Sequence, residues 1–148
     1  MNEVQTGGFV ARTAVCYFCE DIRFETRGLV SLIGVTTGRL AVDREPPLVL
    51  PKLALFMEVR TSLEQAPRRL TFTVSSPWGR DLLRVESGGD SLATEVARAR
   101  QDPASEGFTL RLHTVLSPVP IETLGRLRAI IGIDGVPFNA GTLAIERG

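Results

Sequence analysis

Along three well-separated stretches of this chain every second residue is apolar: Leu70-Phe72-Val74, Phe108-Leu110-Leu112 and Leu127-Ala129-Ile131-Ile133. The residues between and beside them include Arg69, Thr71, Thr73, Arg111, His113 and Arg128. Successive side chains of an extended strand point to opposite faces, so a period of two lays one face on a core and leaves the other in water. The fold is therefore sheet-built. The pattern by itself carries no reaction.

Turn signals divide the strand candidates at short intervals. Thr26-Arg27-Gly28, Gln65-Ala66-Pro67, Ser76-Pro77-Trp78-Gly79 and Asp134-Gly135 each reverse the chain. Pro46-Pro47 and Pro51 bracket Leu48-Val49-Leu50, and proline lacks a ladder donor, so that segment belongs at an edge or a crossing. Leu53, Leu55, Met57 and Val59 resume the alternation, Asp81 to Glu86 pairs back after the turn at Trp78, and Gly141 to Glu146 closes the chain. One segment breaks the period: Leu92, Val96 and Ala99 fall at helical spacing, which predicts a short helix near residues 91–101, capped by Asp90 or Ser91 and ended by Pro103. Eight or nine strands with one inserted helix predict an all-β, immunoglobulin-like β-sandwich of about eight strands. With no repeat or long linker, residues 9–148 form a single domain behind a disordered or extended tail over residues 1–8.

Phe9 to Phe18 and Leu29 to Val35 are apolar on both faces. They read as a central hairpin, the most buried part of the fold, with Gly34 marking a bulge or the close approach of another backbone.

The 148 residues suffice for a core that needs neither metal nor disulfide. Seventeen basic side chains balance seventeen acidic ones, so no global field draws in nucleic acid or a membrane surface. Lys52 is the only lysine; the arginines scatter from Arg12 to Arg147, as codon composition would place them. No basic-then-apolar leader opens the chain and no apolar run approaches bilayer length, so the expected location is the cytoplasm.

Cys16 and Cys19 stand at C-x-x-C spacing, but within a strand rather than at a helix N-terminus. Positions three apart on a strand face opposite sides. That suits neither a local disulfide nor a shared metal, so both thiols are expected to pack as small hydrophobes. Glu20, Asp21, Arg23 and Glu25 form the densest charged cluster, read as a turn cap with salt bridges. His113 is the one histidine, on the wet face between Arg111 and Val115. No nucleophile, zincin or phosphate-loop motif accompanies it. Trp78, at a turn tip beside Arg80, either grips a ligand or partner or folds back as a lid over the sheet end.

Cys19-Glu-Asp-Ile-Arg23 followed by Gly28-Leu-Val-Ser-Leu-Ile-Gly-Val35 resembles the opening of a family of short bacterial proteins described only as a domain of unknown function. Leu50-Pro-Lys-Leu53, Leu70 to Gly79, Gly125-Arg-Leu-Arg128, Ile133-Asp-Gly135 and Gly141-Thr-Leu143 extend the resemblance over most of the chain. The family often has Pro-Asp-Gly where this chain has Pro77-Trp78-Gly79. The resemblance implies a single domain of this length and brings no catalytic residue.

These readings converge on a non-enzymatic β-sandwich interaction or structural module that acts through protein–protein contacts, including self-association or a larger assembly. The expected partner is a protein, and no cofactor, metal, nucleic acid or membrane is expected. A small-ligand or carbohydrate-binding module using Trp78 and Arg80 is the alternative, and an enzyme built on His113 ranks last.

Overall fold

A computed structural model describes residues 12–148. The expected tail over residues 1–8 and the first part of the strand expected from Phe9 lie outside the described residues. The chain runs through β1 (Arg12–Cys19), β2 (Asp21–Phe24), a 3-10 turn at Thr26–Gly28, β3 (Val30–Ile33), β4 (Arg39–Val42), β5 (Leu48–Leu50) and β6 (Leu53–Thr61). It continues through β7 (Arg69–Ser75), β8 (Asp81–Gly88), α1 (Gly89–Gln101), β9 (Phe108–Leu116), β10 (Val119–Ile121), β11 (Gly125–Ile133) and β12 (Val136–Arg147). The fold is all-β and sandwich-like with one short helix, as the alternation predicts. The twelve strands among the described residues exceed the expected eight because several pieces are only three or four residues long.

Two sheets face each other across the main core. One has the order β1-β6-β9, the other β4-β12-β11-β7-β8. All pairings are antiparallel except that of β12 with β4. The apolar members of each alternating run point inward: Leu53, Leu55, Met57 and Val59 from β6 meet Leu70, Phe72 and Val74 from β7 and Leu127, Ala129, Ile131 and Ile133 from β11. At about 25 cal/mol per Å² of apolar surface removed from water, this layer is the principal driving force for the fold.

The two-stranded β5–β10 ladder continues the β6–β9 ribbon beyond a bend, where the Ser117 hydroxyl donates to the Pro51 carbonyl (2.8 Å). It tucks Leu48, Val119 and Ile121 under the end of the sandwich, so the proline-bracketed segment is indeed not a central strand. On one flank β12 carries a bulge at Ala140, where Ala129 pairs with Gly141 and Ile130 with Asn139. Gly141 there approaches β1 so closely that a Cβ would stand 2.8 Å from the Cys16 carbonyl oxygen. The β11–β12 turn is fixed by Asp134. Its carboxylate accepts the backbone N–H groups of Arg68 (2.8 Å) and Arg69 (2.9 Å) and an N–H of the Arg12 guanidinium (2.7 Å).

The expected central hairpin does not form. β1 pairs with β6 and is an edge of its sheet among the described residues, while β3 pairs with β2. Leu29 to Val35 is not among the most buried segments: it is half-buried at its middle and open to solvent at Leu29 and Val35. The reason lies in what covers the second face of β1. Its inner residues Cys16 and Phe18 join the main core, but its end is covered by the β2–β3 hairpin folded over the outside of the sheet, which creates a second, small core of Cys19, Ile22 and Ala54. Gly34 does mark a close approach, but of the Glu20 side chain rather than a backbone. A Cβ would meet Glu20 Cγ at 2.7 Å, and the backbone there is left-handed at φ +64°.

Two further boundaries differ from expectation. The helix begins at Gly89, with Gly88 as its N-cap, so neither Asp90 nor Ser91 caps it. The closing strand starts at Val136, directly after the turn, because residues 136–139 pair with β11 despite their irregular pattern.

Candidate functional site

Three strands present an aligned outer face. In register, Tyr17 of β1 stands beside Phe56 of β6, which stands beside His113 of β9. Two residues further along each strand, Val15, Glu58 and Arg111 form the next row on the same face. Tyr17 and His113 are exposed and Phe56 is half-buried. This face inherits the residues that the alternation leaves on the wet side, yet much of it is apolar.

The β2–β3 hairpin lies across it. Val30 and Leu32 pack with Phe56 onto the small Cys19–Ile22–Ala54 core. The Phe24 ring tilts against His113 with centroids 4.7 Å apart. The hairpin is held at its base by backbone hydrogen bonds from Glu20 N–H to the Ile33 carbonyl (2.9 Å) and from Thr36 N–H to the Phe18 carbonyl (2.8 Å). Its tip turns at Arg27 and Gly28, both left-handed. Leu29, Val30, Leu32, Phe56, Glu58 and Arg111 border a groove of about 320 Å³ between the tip and the sheet.

Glu58 is the electrostatic centre of this face. Arg60 Nε reaches its Oε1 at 2.6 Å and Arg111 Nε its Oε2 at 2.7 Å, so each oxygen is engaged by a different guanidinium. Burial alone would raise the Glu58 pKa. The hydrogen bond from Arg111, with the charge and hydrogen bond of Arg60, outweighs that burial and holds the carboxyl below its ordinary range. The clamp ties two long arginine side chains to one carboxylate, with Glu58 and Arg111 at the border of the groove.

Among the described residues seven large apolar side chains are strongly exposed, and five of them lie on or beside this face: Tyr17, Phe24, Leu29, Val35 and Val115, each between 43% and 66% exposed. The other two, Val49 and Val136, lie on β5 and β12. An apolar patch gathered on one face, rimmed by charge, is the usual mark of a contact surface.

The structure disperses the other candidates. Trp78 is half-buried against the main core, the lid arrangement, with Ser76 Oγ accepting the Arg80 N–H (3.1 Å) to close the turn beneath it. Arg80 is exposed and lies 3.9 Å from Glu122. His113 makes no hydrogen bond to a carboxylate among the described residues; its neighbour is Phe24. Cys16 and Cys19 are both buried and unbridged, and they belong to different cores. Burial, reinforced by Cys19, pushes the Cys16 thiol up to about 12, and burial followed by the Asp21 charge raises that of Cys19. Asp21 takes an ion pair from Lys52 (3.1 Å) and a looser one from Arg23 (3.9 Å), as a structural cluster would. No set of three or more His, Cys, Asp or Glu side chains is placed to hold a metal ion among the described residues, and no helix there is long and apolar enough to cross a membrane.

Sequence reasoning missed Tyr17, Phe24, Leu29 and the Glu58 clamp. The signal present was weak: Phe24 and Leu29 flank a glycine-containing turn, an unusual place for two large hydrophobes.

The fold and this face define a β-sandwich-like protein with an apolar, arginine-rimmed outer sheet surface. No family model, curated protein or solved structure matches the chain.

Proposed function

We propose that the protein is a non-enzymatic interaction module that contacts a protein partner through the outer face of the β1-β6-β9 sheet and the β2–β3 hairpin above it. The observation that carries this reading is the gathering of Tyr17, Phe24, Leu29, Val35 and Val115 on one side of the molecule. Aromatic and arginine side chains are the residue types that dominate interface energetics, and here Tyr17, Phe24, Arg60 and Arg111 share one surface. The Glu58 clamp holds two arginines in place before contact, which lowers the entropy cost of using them.

The test is a hydrogen-exchange footprint of the protein with a partner recovered by affinity capture, or with itself at high concentration. Protection should fall on β2, β3 and β9 and disappear in a Phe24→Asp/Leu29→Asp variant of unchanged melting temperature. Protection confined to the Trp78 turn or to the β4-β12-β11-β7-β8 sheet would refute the assignment. So would turnover of a metabolite by a monomer that retains no partner.

A further inference from the structure

A second groove lies away from that face, between α1 and the β6–β7 connection. We infer that it binds an extended acidic peptide segment, with one carboxylate at each end of the groove. Its cavity holds about 470 Å³ and is bordered by Ala66, Pro67 and Arg68 on one side and Ala93, Ala97 and Arg100 on the other. It continues past Gly89 into a further hollow of about 420 Å³ beside Arg69 and Gly88. The floor is made of methyl groups and backbone, so main chain carrying small side chains can lie close against it.

The charge is arranged at the two ends. Gly89 opens the helix and Arg100 stands near its close, eleven residues on, which at 1.5 Å per residue is roughly 16 Å. Arg68 borders the hollow at the Gly89 end as well as the main groove. Neither Arg68 nor Arg100 has an ion-pair partner among the described residues. No acidic side chain borders the main groove, and Asp90 in the first helical turn is not among its walls. Glu86, in the adjoining hollow, is already shared by Arg69 (3.1 Å) and Arg84 (3.6 Å).

Arg68 is anchored through its backbone and Arg100 through its side chain. The Arg68 backbone N–H is held by Asp134 (2.8 Å), and Arg100 Nη2 donates to the Leu63 carbonyl (3.2 Å), leaving its other donors free. An extended chain rises about 3.3 Å per residue, so two acidic residues four apart share one face and span about 13 Å, and the reach of the glutamate and arginine side chains covers the remainder. A nucleic acid strand would need aromatic platforms for its bases, and this groove offers alanines.

Fluorescence anisotropy of the full chain with the labelled pentapeptide Glu-Ala-Pro-Ala-Glu tests the inference. It should bind, weaken as salt rises, and lose about three- to fivefold in affinity for each of Arg68→Ala and Arg100→Gln, as partly exposed ion pairs do. An Ala97→Gln variant, which fills the groove from the exposed face of the helix without adding charge, should abolish binding while leaving the melting temperature unchanged. Equal binding of the lysine-ended peptide, indifference to both arginine substitutions, or no binding at all would overturn the assignment. So would tighter binding of a single-stranded oligonucleotide of equal charge, or a self-association lost on Arg68→Ala.

Discussion

Replacing Asp134 with alanine should cost about 3 kcal/mol, and the structure says where that comes from. The carboxylate accepts two backbone N–H groups, from Arg68 and Arg69, and pairs with the Arg12 guanidinium. Hydrogen bonds of this kind contribute about 0.5–1.5 kcal/mol each and a partly exposed ion pair about 0.2–1 kcal/mol. Asp134 also sits at φ +51°, a left-handed position that aspartate tolerates and alanine does not, worth about 1 kcal/mol more. Three substitutions separate these contributions. Asp134→Gly removes the bonds but relieves the conformational cost, so about 2 kcal/mol is expected. Asp134→Asn keeps an acceptor oxygen for the two amides and loses the charge, so about 1 kcal/mol is expected. Urea denaturation at pH 7 measures each, and the alanine variant should melt about 6–12 °C lower, at roughly 2–4 °C per kcal/mol for a chain of this size.

The pH dependence has a fixed sign. Burial works to raise the Asp134 pKa, but the bonds from Arg69, Arg68 and Arg12 prevail and leave it below its ordinary value. A carboxylate depressed in the folded state stabilises fully above its unfolded pKa of about 3.9 and loses that contribution as pH falls through the folded value. The gap between the native protein and Asp134→Ala should therefore narrow below about pH 4. A gap that is under 0.5 kcal/mol at pH 7, or one that widens in acid, would refute the reasoning.

Ile131→Ala, in the centre of the main core, should cost about 2–5 kcal/mol, whereas Ile33→Ala, half-buried on the β2–β3 hairpin, should cost about 1 kcal/mol; equal costs in denaturant melts would mean that the hairpin belongs to the main core. With its thiol pushed up to about 12, Cys16 should resist iodoacetamide at pH 8 in the native protein and react once urea unfolds it; rapid native labelling, read by mass spectrometry, would contradict its burial. Gly141→Ala should destabilise by about 1–3 kcal/mol, because the added methyl meets the Cys16 carbonyl, an atom of the backbone that cannot swing away. A neutral result in thermal melts would place the β1 edge further from β12.

Alternation made β7, β9 and β11 legible because each has one face turned to the core and the other more open to water, so the code of period two is read without tertiary knowledge. It failed at β1 and β3 for one shared reason. A strand apolar on both faces states only that both faces are covered, not by what, and here the second cover is a hairpin laid over the outside of the sheet. Leu29 and Val35 added to the confusion, since their apolar side chains are exposed rather than packed. The helix was legible from Leu92, Val96 and Ala99, but its start was not: Gly88 caps it with no side chain, so nothing at Asp90 or Ser91 could be distinguished as the boundary. Of the candidate site, His113 was placed on the correct face of its strand. Its partners were invisible, because Phe24 and Tyr17 reach that face from elements whose pairing depends on the whole fold.

The parallel seam between β4 and β12 has a consequence for how the molecule is made. Residues 39–42 emerge early in synthesis, yet their ladder partner is residues 144–147, and β12 stands between β4 and β11 rather than at a margin. Until residue 147 has left the ribosome, β4 and the β11 side of this sheet have nothing to join them, and the core face of Leu127, Ile131 and Ile133 is without the neighbour that flanks it. Pairings that span so much of a chain form slowly, and the incomplete sheet exposes unpaired edges meanwhile. A nascent chain stalled a few residues short of that point is thus the form of this protein most in need of a chaperone.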